Sequence, residues 1–148
     1  MVWIDAREAL IVRWHGGRAQ AERLDSDVPA HHRATGHVRH DSTLGHASGG
    51  RSQTAGEPKR LEHLERFIER VAVRLSPGDD ILILGSGDVH ERLARHVRAA
   101  DTVLRSTRAV TCEASTRLTE PQLIARLRHH AGADAPRRTP RLAIEENG

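Results

Sequence analysis

Five imidazoles crowd the stretch between positions 31 and 46: His31, His32, His37, His40 and His46. Imidazole is a common ligand for transition metals, so a metal site is the first chemistry to test. Their spacing matches no zinc pattern and the glycine-rich surroundings do not preorganise ligands, so the residues read as a solvated loop whose charge rises below neutral pH. No resident metal or cofactor is expected. Gly85-Ser86-Gly87 could present backbone N–H groups to a phosphate if it turns from a strand into a helix. It lacks the Lys-Ser/Thr of a P-loop and the full dinucleotide fingerprint, which favours a tight structural turn. Trp3 and Trp14 could stack on bases, but both lie in apolar runs where core packing is the simpler role.

Cationic chemistry is more clearly placed. Of the 23 basic residues, only Lys59 is lysine. Guanidinium forks onto phosphate oxygens, although a GC-rich coding bias accounts for the same preference. Position carries more information than type. Arg33, Arg39, Arg51, Lys59 and Arg60 face only Asp41 and Glu57 between residues 29 and 60, and elsewhere bases and acids cancel. That segment therefore holds the whole net charge of +3, and these five bases are the candidate RNA contacts.

The elements that must position such groups follow from patterning. Val2-Trp3-Ile4 and Ala9-Leu10-Ile11-Val12-Arg13-Trp14 are rich in strand formers, separated by a turn over Asp5 to Glu8. Gly16-Gly17 breaks the run, and Ala19, Ala21 and Leu24 then alternate with polar residues, which predicts a third strand in an antiparallel meander. Residues 29 to 56 hold few apolar anchors and many glycines, so burial cannot offset their ordering entropy and a long mobile loop is expected. From Glu57 the period becomes helical: Pro58 suits a first turn, and Leu61, Leu64, Ile68, Val71 and Leu75 form a stripe that ends before Ser76-Pro77-Gly78. Ile81 to Leu84 reads as a strand buried on both faces. Val89, Leu93 and Val97 stripe a second helix, with Asp88 as its N-cap. A further strand is placed at Ala109 to Cys112, with Val103-Leu104 as the rival, and Thr119-Glu120-Pro121 opens a third helix that stops near Gly132. The order β-β-β-loop-α-β-α-β-α predicts an α/β fold with a mixed sheet over residues 1 to 132, followed by a frayed tail from 133 to 148.

Bulk properties exclude several classes. Cys112 stands alone, so no internal disulfide forms and a reducing cytoplasm is the default location. No apolar run approaches the roughly 18 to 20 residues needed to cross a bilayer, and the opening residues lack the basic and apolar regions of a signal peptide. Membrane partners are set aside.

The sequence resembles the bacterial relatives of the central domain of archaeal and eukaryotic peptide chain release factor subunit 1 and Pelota. The resemblance rests on Val2 to Ala9, on a polar glycine-rich loop ahead of a long amphipathic helix, and on Ile81 to Gly87 leading into Asp88 to His96. It implies the translational-machinery fold, akin to ribonuclease H-like folds, and a setting at the ribosome. In release factors the loop carries Gly-Gly-Gln, whose glutamine helps place water at the peptidyl-tRNA ester. This chain has Gly49-Gly50-Arg51-Ser52-Gln53, so two residues separate the glycine pair from the glutamine. The spacing resembles the glycine-x-x-glutamine variant of some peptidyl-tRNA-cleaving relatives, which makes Gln53, with Gly49 and Gly50, the candidate catalytic group. Glycines admit a nucleic-acid end close to the backbone, and a glutamine amide orients water without titrating.

Three functions remain open. One is a noncatalytic ribosome- or tRNA-associated factor, with a hibernation or rescue role, that contacts RNA through the basic loop. A second is a peptidyl-tRNA hydrolase using Gln53. The third is a ribonuclease H-like nuclease, for which Asp5, Asp88 and one of Glu62, Glu65 or Glu69 would hold two divalent metals. Salt bridges to Arg66 and Arg70, and an N-cap at Asp88, account for those carboxylates more simply. The stop-codon-reading and partner-binding domains of the family do not fit within this length, so codon-dependent termination by this chain alone is not expected.

Overall fold

A computed structural model describes residues 1–29 and 56–133. Gln53, Gly49, Gly50, Arg33, Arg39, Arg51 and the five imidazoles from His31 to His46 lie outside the described residues, as do the bulk of the expected mobile loop and the tail beyond Ala133. Within them run strands β1 (Val2–Ile4), β2 (Glu8–His15) and β3 (Arg18–Asp25). Helix α1 (Gly56–Val73), β4 (Ile81–Gly85), α2 (Val89–Leu104), β5 (Val110–Ala114) and α3 (Glu120–His130) follow.

The strands form one mixed sheet in the order β3-β2-β1-β4-β5. Three strands pair antiparallel, with Trp3 opposite Leu10 and Val12 opposite Ala21. Gly16 and Gly17 both take positive φ, which is what a two-residue hairpin of matching twist requires. β4 and β5 then add parallel to β1, as helical crossovers dictate.

Alternation along the strands sorts the core into two layers. Val2, Ile4, Ala9, Ile11, Ile81 and Ile83 face Leu64, Phe67, Ile68 and Val71 of α1 and Leu93, Ala94 and Val97 of α2. Trp3, Val12, Leu82 and Leu84 face the other way, against Leu123 of α3. The sheet thus lies between two helices on one face and one on the other, and the central strands are buried on both sides, as the unbroken run Ile81 to Leu84 predicts.

The structure differs from the sequence reading in four places. Leu61 stays 45% exposed, on the wall of an open crevice rather than in the core, and Phe67, fully buried, takes a place in the stripe. The strand placed at Ala109 to Cys112 is present but shifted, as β5 at Val110–Ala114, and its rival Val103-Leu104 is the exposed end of α2, at 82% and 65% exposure. Trp14 is only half-buried, with the Arg128 guanidinium 5.3 Å from its ring centroid. Asp88 occupies the N-cap position of α2, yet its side chain caps nothing. Among the described residues, no helix is long and apolar enough to cross a membrane.

Candidate nucleic-acid interface

Because β1, β3, β4 and β5 all point the same way, their carboxyl ends share one edge of the sheet. From β1 the chain turns towards β2 on one side, while β4, its parallel neighbour on the other side, leads into a helix. Such a switch point leaves a crevice outside the strand ends, where open α/β sheets bind ligands. Here it is a cavity of about 480 Å³. Its walls are Asp5 to Arg7 after β1, Ser86 to Val89 after β4, Glu57, Arg60, Leu61 and Leu64 of α1, and Arg92 of α2.

Each charged group there has a local reason for its place. Asp5 closes the β1–β2 turn: its Oδ1 accepts from the backbone N–H of Arg7 at 2.7 Å and of Glu8 at 2.9 Å. Asp88 accepts from Arg92 Nε at 2.7 Å, one helical turn away. That hydrogen bond from Arg92 is the main reason the Asp88 carboxyl is held below its usual range. Arg92 also donates to Glu65 of α1 at 3.2 Å, so the two helices are bridged beside the crevice. Arg60 reaches in from α1 with its Nε shielded from solvent and without a hydrogen-bond partner.

The β3 exit is fixed to the flank of α1. Arg70 donates to the Asp25 carbonyl and to Asp27, each at 3.2 Å, and His63 Nδ1 lies 3.3 Å from Asp27 Oδ2. The hydrogen bond with His63, followed by the backbone around Asp27, lowers the Asp27 pKa. Across the same edge Glu8, buried at the start of β2, is clamped between Arg23 of β3 and Arg117 of the β5–α3 connection. The described chain therefore leaves Pro29 and returns at Gly56 on a frame whose edge is tied by ion pairs.

No known protein-family model matches this chain, and no curated protein sequence does.

Of the bases singled out in the sequence, Arg60 enters the crevice and Lys59 is exposed beside it on the first turn of α1. Of the carboxylates a two-metal nuclease requires, Asp5 and Asp88 share the crevice wall, but none of Glu62, Glu65 and Glu69 lines it with them. Glu62 pairs with Arg66, Glu65 with Arg92, and Glu69 lines a different groove beside Leu24 and Val73. Among the described residues, no three His, Cys, Asp or Glu side chains converge on a metal position. Arg7 and the Glu65–Arg92–Asp88 chain were not anticipated. The four-residue spacing of Asp88 and Arg92 is the one signal for them in the sequence.

Proposed function

We propose that this chain is a ribosome- or tRNA-associated translation factor, related to the central domain of release factor subunit 1, that binds RNA through residues 29 to 60. The observation that carries the reading is the coincidence of charge and place: the segment holds the whole net charge, and its last residue, Arg60, lines the strand-end crevice with Lys59 exposed next to it in the chain. Electrostatic attraction to phosphate needs no more than this, since sequence-independent affinity comes from released counterions. A three-strand meander followed by two parallel crossovers agrees with the ribonuclease H-like arrangement that the resemblance implies.

Carboxylates already engaged by arginines and backbone amides weigh against the metal-nuclease reading. Hydrolysis of peptidyl-tRNA by Gln53 stays an additional activity to be assayed, with the two-residue gap after Gly50 weighing against it. Ribosome co-sedimentation combined with a peptidyl-tRNA release assay separates these readings. Binding without release or metal-dependent RNA cleavage supports the factor. Release that is abolished by Gln53→Ala makes the chain a hydrolase, and cleavage that requires a divalent ion makes it a nuclease.

A further inference from the structure

The two edges of the sheet are defended unequally. β3 carries Arg18, Glu22, Arg23 and Asp25, and Arg70 of α1 occupies its Asp25 carbonyl, which blunts that edge against pairing. At the other edge, the Ala109 carbonyl accepts from Ile81 and the Ser115 amide donates to Gly85. A parallel ladder uses alternate residues, so Val110, Cys112 and Ala114 turn their N–H and C=O groups away from β4. Among the described residues, the one partner these outward groups have is Arg98, whose Nη2 donates to the Val110 carbonyl at 3.0 Å.

Charge beside this open edge is self-complementary. α2 runs back over β4 and β5: His90 abuts Gly85, the register partner of Ala114, and Arg98 has reached Val110, opposite the start of β4. A groove of about 520 Å³ between the flank of α2 and β5 therefore has Glu91 at its Ala114 end, Arg98 at its Val110 end and Arg95 between them. Antiparallel pairing with the same strand of another copy, about a two-fold axis normal to the sheet at Cys112, sets each Val110 opposite Ala114 of the second copy. Every outward backbone group of β5 then finds a partner. Arg98, released from the Val110 carbonyl, faces Glu91 of the second copy, and the symmetry makes that pair twice. On the opposite sheet face Thr111 meets Glu113 of the second copy. Arg95 meets its own counterpart at the axis, the one like-charge contact, and its exposed head can stay in water. Centring the pair on Glu113 would instead oppose two carboxylates, and centring it on Thr111 would leave the Ala114 groups unpaired.

We propose that the β5 edge docks a second copy of this chain, joining the two sheets through β5 and pairing Glu91 of each copy with Arg98 of the other.

The test is sedimentation equilibrium of the full chain over a range of concentrations, with far-UV circular dichroism to check the folding of each variant. The wild type should show a monomer–dimer equilibrium. Glu91→Arg or Arg98→Glu alone should weaken the dimer at least about tenfold, because like charges then meet at both ends of the interface. The two substitutions together should restore association to within about threefold of wild type, since the pairs re-form with reversed sign. Arg95→Ala should tighten the dimer by removing the repulsion at the axis. Ala114→Pro deletes an outward N–H that the single copy does not use, so it should give a folded monomer. A wild type still monomeric at about 1 mM, or a dimer untouched by Ala114→Pro, would overturn the proposal. Single charge reversals without effect, a double reversal that fails to restore association, or weakening by Arg95→Ala would overturn the two-fold arrangement.

Discussion

Removing the Asp101 carboxylate should cost this protein more than any surface ion pair could. Asp101 of α2 and Arg108, just before β5, have side chains only 9% and 6% exposed. Arg108 Nε donates to Asp101 Oδ2 at 2.8 Å, and Nη2 lies 2.7 Å from Oδ1 as a charge contact without hydrogen-bond alignment. Arg108 Nη1 also donates to the Ser76 carbonyl, so one guanidinium joins the end of α2, the α1–β4 connection and the approach to β5. Asp101→Ala leaves that cation buried beside a void, a change that costs about 3–5 kcal/mol where measured in other buried pairs. At this chain length it corresponds to a fall in Tm of roughly 10–15 °C. Asp101→Leu combined with Arg108→Met should cost less than either polar partner removed alone, because the desolvation penalty disappears with the charges. Urea unfolding of the wild type, the two single variants and the double variant, extrapolated to water, measures the coupling. A loss below about 1 kcal/mol for Asp101→Ala, or strict additivity in the cycle, would refute the reasoning.

Other consequences are equally accessible. Gly85→Ala should unfold or strongly destabilise the chain, since a Cβ there would lie 2.2 Å from the Ile4 carbonyl oxygen and 2.7 Å from His90 Cβ; a Tm within a degree of wild type would contradict this. Asp27, whose pKa is depressed mainly by its hydrogen bond with His63, adds stability that is present above its ordinary value of 3.8 and lost as pH falls through its lower folded value. Thermal unfolding of wild type and Asp27→Asn should therefore differ at pH 5 and converge towards pH 2, whereas a constant gap would remove Asp27 from the account. Burial pushes the Cys112 thiol above its ordinary pKa of 9.0, so a disulfide reagent should react slowly at neutral pH and faster as pH rises. Rapid reaction at pH 7 would show an exposed thiolate.

The parts of the fold readable in sequence are those where one physical requirement dominates. Ile81 to Leu84 must be buried on both faces, and Gly16-Gly17 supplies the positive φ of a hairpin, so β4 and the β2–β3 turn follow directly. β5 is an edge strand whose exposed Thr111 and Glu113 dilute the apolar signal, which let Val103-Leu104 compete as a strand although they end a helix. Helical period places Leu61 and Leu64 on one face but cannot tell how far the core extends along it, and Leu61 lies exposed at the crevice while Leu64 is buried. The site was legible only where partners are close in sequence. Asp88 and Arg92 are four residues apart, whereas Glu65 meets Arg92, and Glu8 meets Arg117, only through the sheet order. Local propensity also favours Asp88 as a cap, and the nearby guanidinium outcompetes the amides for its carboxylate.

The central claim is that the basic segment is the RNA contact, and salt dependence tests it most directly. Ribosome or tRNA affinity should be measured across a series of salt concentrations for wild type and for a variant with Arg39, Arg51, Lys59 and Arg60 all replaced by Gln. Each lost phosphate contact removes about 0.7 to 0.9 from the slope of log affinity against log salt, so the slope should flatten by about three as affinity falls. Unchanged affinity and slope in the variant would place the RNA contact elsewhere, and no binding by the wild type would end the translation-factor account.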